Sequence, residues 1–392
     1  MKNVDMLVVG AGIFGLTIAE RVANELGKKI LVIDKRNHIG GNSYSEIDTE
    51  TGIECHKYGA HIFHTSNTIV WEYVNRFSKF TNYQHRVYSV HNNEVFSLPI
   101  NLGTINQFFR ANFTPDEAKK LIANQAKDAP EVPKNLKEQG IKLIGQSLFE
   151  AFVMNYTAKQ WQTSAEELSP DIIKRLPVRY NYNNRYFSDV YEGLPKNGYG
   201  RLFKTMLDSG GEKITLRLGT DYFNDNELRE FTSGGGLTIF TGPIDQFFDY
   251  KYGELSWRSV MFKKETLPIH DFQGCPVMNY ADLEQPFTRI IEFKHFHPER
   301  TSNGYSKDSR KTVIYKEFSK EWKKGEEPYY PVGTRDDQEK LKKYQQLAKQ
   351  YPNVVFGGRL GEYAYYDMDV TFLSALTMFK NIVTDWYKKH EN

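Results

Sequence analysis

The chain has 392 residues, 40% of them hydrophobic and 26% charged, and its formal net charge is +2. This composition is typical of a globular protein with two or three domains, and the small net charge predicts no general attraction to nucleic acid or to a membrane surface. The two cysteines, Cys55 and Cys275, lie far apart, which excludes a CxxC pair and favours a reducing compartment.

The sequence shows neither a signal peptide nor a run of about 18 apolar residues, so we expect a cytoplasmic protein with no membrane insertion. Tyrosine is frequent, with 25 residues. Because its ring is apolar and its tip polar, tyrosine suits either a wet, sugar-like or nucleotide-like ligand or the protein core.

The first predicted elements are a strand, "MLVVG", a glycine turn, a helix, "LTIAERVANEL", and a second strand, "KKILVID". Gly10, Gly12 and Gly15 have the G-x-G-x-x-G spacing, and Asp34 ends the second strand. In this context Gly10 permits the tight turn, Gly12 lets the backbone approach a pyrophosphate, and Gly15 lets the helix pack on the strand. The pattern predicts a Rossmann-like nucleotide-binding unit, with Asp34 on a ribose hydroxyl.

The sequence around Asp34 leaves the choice of dinucleotide open. Lys35 and Arg36 favour the 2′-phosphate of NADP, whereas Gly40-Gly41 in "DKRNHIGGN" suits a chain that follows a longer cofactor. A late strand, "VVFGGRL", precedes a helix predicted to begin near Asp367, and its amides would lie beside the electron-rich end of a flavin. Together these features favour FAD.

The middle of the chain predicts helices and then strands. Thr114-Pro115-Asp116-Glu117 is typical of a helix start, and residues from Leu136 to Tyr156 recur at helical spacing as one stripe, so residues 101–174 form a small inserted helical domain. The segment from Val178 to Asn197 is rich in Tyr, Asn and Arg, and we expect it to form strands. Four runs between Leu255 and Tyr315, "RSVMFKKETL", "CPVMNY", "TRIIEFKHF" and "TVIYKEF", predict an antiparallel sheet.

Motifs along nearly the whole chain resemble those of the bacterial UDP-galactopyranose mutases. The matching stretches are "HIGGN", "HKYGAHIFHT", "NYTAKQW", "LPVRY", "NRYFSD", "TGPIDQFFDY", "FQG", "FTRIIEFKHF", "EPYYP" and "FGGRLGEYAYYDMD". The resemblance implies an α/β fold: a Rossmann-like FAD-binding domain with an inserted helical bundle and an antiparallel β-sheet domain. We expect the FAD-binding domain at 1–80, 198–248 and 350–392, the helical domain at 101–174, and the sheet domain at 81–100, 175–197 and 249–349.

The resemblance also implies the reaction, which is the interconversion of UDP-galactopyranose and UDP-galactofuranose with no net redox change. In that family FAD must be reduced, and its N5 atom acts as the nucleophile at the anomeric carbon while UDP departs. The product would supply galactofuranose for cell-surface glycans. The expected partners are the two UDP-sugars and further copies of the chain, in a homodimer or higher homo-oligomer.

Four residues are assigned catalytic roles by their match to the family motifs. Arg175 and Arg289 would hold the diphosphate as its charge develops. Arg175 falls at a helix-to-strand transition and Arg289 inside a predicted strand. His64 would lie beside the flavin, and Asp367 would hold a proton or a partner near it.

The same match assigns residues to the cofactor and to the substrate. Residues expected to bind the cofactor are Gly10, Gly12, Phe14, Gly15, Asp34, Lys35, Asn42, His61, Ile62, Arg359 and Met368. Residues expected to bind the substrate are His85, Phe152, Tyr156, Thr157, Trp161, Tyr186, Asn279, Tyr330 and Tyr365. Among these, Phe152, Tyr156, Thr157 and Trp161 would grip the uridine, and His85 stands where many family members carry asparagine. The histidines of "HKYGAHIFH" have neither cysteines nor many acids beside them, so no metal is expected.

Three alternatives remain open from the sequence. A flavin amine oxidase-like oxidoreductase shares the glycine fingerprint but has no use for a diphosphate site. A non-catalytic FAD-binding scaffold is disfavoured by the set of Arg175, Arg289 and the tyrosines. The same chemistry on UDP-N-acetylgalactosamine is the third alternative.

Overall fold

The structure is a computed structural model that describes residues 3–173, 178–302 and 310–390. Within these ranges the strands are β1 (Met6–Val9), β2 (Ile30–Asp34), β3 (Ser45–Ile47), β4 (Glu54–His56), β5 (Phe63–Thr65), β6 (Val87–His91), β7 (Glu94–Leu98), β8 (Tyr191–Gly193), β9 (Ile214–Leu218), β10 (Leu237–Phe240), β11 (Trp257–Leu267), β12 (Val277–Tyr280), β13 (Arg289–Glu292), β14 (Thr312–Glu321), β15 (Tyr330–Pro331) and β16 (Val354–Phe356).

The α-helices of the same ranges are α1 (Ile13–Arg21), α2 (Thr68–Asn75), α3 (Leu102–Phe109), α4 (Pro115–Gln125), α5 (Leu136–Ile144), α6 (Gln146–Phe149), α7 (Asn155–Trp161), α8 (Tyr199–Ser209), α9 (Asn226–Ser233), α10 (Ile244–Phe247), α11 (Pro298–Ser302), α12 (Arg335–Ala348), α13 (Gly358–Gly361), α14 (Met368–Met378) and α15 (Thr384–His390). None of these helices combines the length and the apolar character needed to cross a bilayer.

A five-stranded parallel sheet, in the order β16-β10-β1-β2-β9, forms the first layer. In β1, Met6 lies opposite Ile30 of β2 and Leu237 of β10. The residues of β10 and most of those of β1 and β2 are buried, as expected of strands covered on both faces. The predicted strand, glycine turn, helix and strand at the start of the chain are therefore confirmed as a Rossmann-like βαβ unit.

A seven-stranded sheet, in the order β15-β11-β14-β13-β12-β6-β7, forms the second layer. The four runs predicted between Leu255 and Tyr315 form β11 to β14, and most pairings in the sheet are antiparallel. The predicted runs pair antiparallel with one another, as expected, and β12 also runs parallel to β6. The helical region lies between these two strands in the chain, and such a long connection allows a parallel pairing.

Helices α3 to α7 form the helical region. Helix α4 begins as predicted: Thr114 accepts from the Glu117 N–H, Glu117 accepts from the Thr114 N–H, and Pro115 occupies the first turn. The predicted stripe from Leu136 to Tyr156 is divided among several helical elements. Gly145, with φ +76°, separates α5 from α6, and a π-helical turn at Glu150–Met154 leads into α7.

The expectation that Val178 to Asn197 forms strands is wrong for most of the segment, of which only β8 is a named strand. The side chain of Asn181 accepts from the N–H of Asn183, and the side chain of Asn183 accepts from the N–H of Arg185. Such Asx turns bend the backbone and compete with strand pairing. The segment therefore does not extend the second sheet, and its one strand, β8, pairs with β5 instead.

Candidate functional site

A cavity of about 490 Å³ lies at the carboxyl ends of β1, β2 and β10, where parallel α/β sheets bind ligands. The predicted cofactor-binding residues in its lining are Gly10, Gly12, Phe14, Asp34, Lys35, Asn42, His61, Arg359 and Met368. We call this space the first cavity. Gly15 lies behind its wall, and Ile62 lines the neighbouring space described below.

The fingerprint glycines are tightly constrained. Gly10 has φ +111°, and a Cβ there would lie 1.9 Å from Thr241 Oγ1. A Cβ on Gly15 would lie 2.0 Å from the Gly10 carbonyl oxygen, so only glycine lets α1 pack against the turn. Gly12 is different, because a Cβ there would meet only Gly41 Cα, at 3.7 Å. Gly12 therefore leaves open space in front of the N-terminus of α1, where an anion is favoured.

The second glycine pair lies directly against the first glycine turn. The Gly40 N–H donates to the Ala11 carbonyl at 2.7 Å, and a Cβ on Gly41 would lie 3.1 Å from Gly12 Cα. Both Gly40 and Gly41 line the first cavity. Two glycine turns therefore lie side by side along the first cavity, with no side chains between them and a ligand. This arrangement fits a cofactor that extends beyond its pyrophosphate.

The acidic and basic residues after β2 bear on the choice of dinucleotide. Asp34 accepts from the N–H groups of Ala11 and Arg36, both at 2.9 Å, which fixes its carboxylate at the cavity wall. Glu327 accepts from Arg36 Nη2 at 2.6 Å and lies 3.3 Å from Lys35 Nζ. Because both cations already face a carboxylate, this arrangement argues against binding of a 2′-phosphate.

A second cavity of about 900 Å³ shares Asn42, His61, Arg359 and Met368 with the first cavity, so the two spaces meet at these residues. The other predicted site residues in its lining are Ile62, His64, His85, Phe152, Tyr156, Thr157, Trp161, Tyr186, Asn279, Arg289, Tyr330, Tyr365 and Asp367. Arg175 lies outside the described residues. The fold therefore brings the predicted substrate residues of three distant chain segments into one space.

Helix α14 begins at the junction of the cavities. Asp367 is its N-cap residue and Met368 its first residue, close to the expected start. The positive end of the helix dipole therefore faces the region where the two spaces join. Arg359 lies nearby, with its guanidinium 5.5 Å and 5.4 Å from the ring centroids of Tyr330 and Tyr365.

Arg289, at the start of β13, is fixed by Glu317 of β14. Its Nε lies 2.8 Å and its Nη2 lies 2.7 Å from Glu317 Oε2. Burial alone would lower the pKa of Arg289, but the Glu317 carboxylate raises it above its ordinary value. The guanidinium is thus a permanent cation with one fixed orientation, and Asn279 lies opposite it on β12.

His64 is held by two neighbours. Its Nδ1 lies 2.8 Å from Asp189 Oδ2, and its ring stacks on Phe187 with centroids 3.7 Å apart. Asp189 Oδ1 also accepts from the Ser66 hydroxyl at 2.7 Å. The walls of the second cavity raise the pKa of Asp367 by removing water from its carboxyl, although the nearby His64 acts in the opposite direction.

Three further histidines of the region, His56, His61 and His85, have lowered pKa values. Burial lowers the pKa of His56 and of His85 to about 3, and that of His61 to about 4. His56 Nδ1 accepts from the His61 N–H at 3.1 Å, and His85 Nδ1 lies 2.9 Å from the Tyr83 hydroxyl. In the part of the chain that the structure describes, His56, His61 and His64 form no three-ligand cluster.

Asp189, Glu317 and Glu327 are residues of the site that sequence reasoning missed. A signal existed for Glu317, because an acid inside the mostly buried strand "TVIYKEF" needs a cationic partner, and Arg289 was already a candidate. Asp189 and Glu327 lie in irregular segments, where spacing carries no information about what a side chain faces. Their partners can be identified only in the folded structure, where distant segments of the chain are in contact.

The fold and these two joined spaces are typical of an enzyme with a Rossmann-like dinucleotide-binding domain and a second, neighbouring cavity. A family model described as an NAD(P)-binding Rossmann-like domain matches residues 8–77, and the model of UDP-galactopyranose mutase matches residues 151–365. The chain belongs to the UDP-galactopyranose mutase family, a family of isomerases.

Individual relatives agree with this assignment. A Klebsiella pneumoniae protein named probable UDP-galactopyranose mutase is 42% identical over 96% of this chain and 94% of its own length. The dTDP-fucopyranose mutase of Escherichia coli is 39% identical over 95% of this chain and 96% of its own. A crystal structure of reduced UDP-galactopyranose mutase superimposes with a TM-score of 0.74 at 16% identity, covering 97% of this chain and 95% of the other, which shows the shared fold.

Proposed function

We propose that the protein interconverts UDP-galactopyranose and UDP-galactofuranose, with FAD as its resident cofactor. The observation that carries this proposal is the junction of the two cavities at Asn42, His61, Arg359 and Met368. A dinucleotide in the first cavity would present one end to a second space that contains Arg289, a partly buried arginine fixed by an ion pair. Membership of the mutase family supplies the reaction.

The residues of the first cavity fit FAD. Gly10, Gly12 and the N-terminus of α1 would hold the pyrophosphate, and Asp34 would accept from a ribose hydroxyl. Gly41 would contact the part of the cofactor that extends from the pyrophosphate to the junction of the cavities. There Arg359 and the first amides of α14 would hold the electron-rich flavin ring. When bound and reduced, FAD supplies a nucleophilic N5 atom for the anomeric carbon of the sugar.

The residues of the second cavity fit a UDP-sugar. Arg289, together with Arg175, would neutralise the diphosphate as UDP departs, and a fixed cation stabilises that developing charge without reorganisation. Tyr186, Tyr330 and Tyr365 would donate hydrogen bonds without adding charge.

Other residues that line the second cavity would bind the uridine and handle protons. Tyr156 and Trp161 would stack on the uracil, with Phe152 and Thr157 beside them and Asn279 near the base or sugar. His64 and Asp367 would hold or move a proton at the sugar ring.

The proposal is tested by incubating the protein with UDP-galactofuranose under dithionite and under air. We expect conversion to UDP-galactopyranose only under dithionite. Comparable conversion by the oxidised enzyme would contradict the nucleophilic role of reduced FAD. Arg289→Ala should lower kcat by about 100-fold or more while FAD stays bound.

A second candidate is the same ring contraction on a different nucleotide-sugar. It is favoured by the 39% identity to a dTDP-fucopyranose mutase. UDP-N-acetylgalactosamine is a further candidate from the sequence, and a flavin amine oxidase-like activity is the remaining alternative. Parallel assays with each nucleotide-sugar and with an amine substrate separate these possibilities by their kcat/KM values.

The domain boundaries given above, the homo-oligomer and the supply of galactofuranose to cell-surface glycans are predictions from the resemblance. The cytoplasmic location is a prediction from the sequence, which shows neither a signal peptide nor a long apolar run. Sedimentation of the purified protein would test the oligomeric state directly.

A further inference from the structure

Lys159 lies on α7 between Thr157 and Trp161, which both line the second cavity, yet Lys159 is not among the described residues of that lining. Its ammonium group instead enters the connection between β12 and β13. There the three N–H groups of Nζ are shared among four backbone carbonyl oxygens, those of Tyr280 at 2.6 Å, Asp282 at 2.7 Å, Gln285 at 3.0 Å and Phe287 at 3.1 Å.

This contact is unusual in its chemistry. A lysine ammonium has three hydrogen-bond donors and no acceptor, so it matches a group of converging carbonyl dipoles. Hydrogen bonds to a charged group are stronger than those between neutral groups. Without a cation, four carbonyl oxygens pointing at one spot would repel one another. Lys159 and the conformation of the 281–288 turn therefore depend on each other.

The turn and the helix carry opposite walls of the second cavity. Asn279 lies on β12 just before the turn, and Arg289 begins β13 just after it. Tyr156 and Trp161 lie on α7, within three residues of Lys159. One ammonium group thus joins the wall proposed to bind uridine to the wall proposed to bind the diphosphate.

The C-terminal end of α7 has a separate anchor on the second sheet. The Gln160 carbonyl accepts from the Ser319 hydroxyl and from Arg258 Nη2, and Gln162 Nε2 donates to the Ser319 carbonyl at 3.1 Å. Because these contacts do not involve the β12–β13 turn, loss of Lys159 leaves α7 attached. The turn keeps its contacts through the Asp282 carboxylate, to His91 Nδ1 at 2.6 Å and the Asn92 N–H at 2.8 Å, but loses its link to α7.

We propose that Lys159 is a positioning residue that sets the distance between the uridine-binding face of α7 and the Asn279–Arg289 pair. The inference rests on the proposed function, because it takes UDP as the ligand that spans the two walls. It predicts that Lys159 governs affinity for the nucleotide more than the rate of the chemical step.

The test compares Lys159→Met with Lys120→Met. Methionine keeps the length of the side chain without its charge, and Lys120 is an exposed lysine of α4 in the same helical region. For Lys159→Met we expect the Kd of UDP and the KM of UDP-galactofuranose to rise by about tenfold, with kcat within about threefold of the wild type and an unchanged FAD content. Lys120→Met should match the wild type in all four quantities.

A second variant covers the case in which Lys159→Met folds poorly. Lys159→Ala leaves room for a small ammonium ion, so added propylammonium should restore the affinity for UDP, whereas sodium at the same ionic strength should not. Unchanged affinity in Lys159→Met would overturn the proposal. So would a joint loss of affinity, kcat and FAD in both variants that propylammonium does not relieve.

The two proposals fail differently. If the wild type binds UDP but converts none of the nucleotide-sugars, the proposed reaction is wrong, while the UDP affinities of the Lys159 variants still decide the role of Lys159. If conversion proceeds and the affinities do not respond, only the positioning role is wrong.

Discussion

Arg289 and Glu317 form a partly buried ion pair in which Nε and Nη2 both bond to the same carboxylate oxygen, at 2.8 Å and 2.7 Å. The Glu317 side chain is 9% exposed and the Arg289 side chain 26%, so water screens the pair less than it would a pair at the surface. The two residues lie on neighbouring strands, with Arg289 directly opposite Glu317 in the register of β13 and β14. The sheet itself therefore determines where the cation faces the second cavity.

Glu317→Gln tests the importance of this pairing. Removing one partner leaves a buried guanidinium without its counter-charge and free to rotate, so we expect kcat/KM to fall roughly 10- to 100-fold and the protein to unfold at a lower temperature. Steady-state kinetics and thermal unfolding measure the two effects. Glu265→Gln is the control, since Glu265 pairs with Lys316 on the same sheet at a less buried position. A wild-type value of kcat/KM in Glu317→Gln would show that activity does not depend on the orientation that Glu317 gives to the Arg289 guanidinium.

Asp189→Asn tests whether His64 requires a carboxylate partner. An amide can still bond to His64 but carries no negative charge beside the ring, so we expect kcat to fall about tenfold with little change in KM. Ser66→Ala removes only the second contact of Asp189 and should have a smaller effect on kcat. Equal effects of the two substitutions would indicate a purely structural role for Asp189.

Gly12→Ala and Gly15→Ala should fail in different ways. A methyl group on Gly12 meets only ordinary contacts within the protein, whereas one on Gly15 would lie 2.0 Å from a backbone oxygen. We therefore expect Gly12→Ala to keep the stability of the cofactor-free protein and to lose FAD, because the methyl group occupies the space of the pyrophosphate. Gly15→Ala should destabilise the protein even without cofactor. Chemical denaturation and flavin absorbance measure these outcomes, and normal FAD retention in Gly12→Ala would place the pyrophosphate elsewhere.

Acid should destabilise the protein through its buried histidines. Burial lowers the pKa of His56 and His85 to about 3, so the folded state keeps both rings neutral while the unfolded state binds protons below about pH 6.5. Stability is then fully present above that pH and is lost as the pH falls. These two residues contribute a slope of up to about 2.7 kcal/mol per pH unit near pH 5.

His85→Asn should reduce that slope by about 1.4 kcal/mol per pH unit, because one fewer proton is taken up on unfolding. Since asparagine occupies this position in many mutases by resemblance, the variant should retain activity. Denaturant unfolding at several pH values between about 7 and 5 measures the slope, above the range where carboxylates titrate. The exposed His270→Asn serves as the control. An unchanged slope in His85→Asn would mean that His85 is protonated in the folded protein.

Local rules predicted the parts of the fold that depend on neighbouring residues. Gly10, Gly12 and Gly15 predicted the βαβ unit because their spacing reflects a single turn. Thr114 predicted the start of α4 because a capping box spans only a few residues. The break between α5 and α6 at Gly145 was not predicted, because the apolar residues on both sides of it still recur with a helical period. Strands were wrongly expected at Val178 to Asn197 because Asn181 and Asn183 use their side chains to turn the backbone.

The candidate site was predictable where a motif carried it and not where it depends on long-range contacts. Resemblance pointed to Arg289, His64 and Asp367, but not to the carboxylates that hold Arg289 and His64. Asp189 lies 125 residues from His64 in the chain, and Glu317 lies 28 residues from Arg289. Nothing in the spacing of a single sequence reveals such partners, which are decided by strand register and by turns.

The order of strands in the parallel sheet has a consequence for biosynthesis. Among the strands of this sheet, β1 and β2 are synthesised early, but the other neighbour of β1, β10, begins only at Leu237. Until β10 has been made, one apolar edge of β1 has no partner, and such an unpaired edge invites aggregation. A chain truncated before β10 is therefore expected to be insoluble rather than partly active.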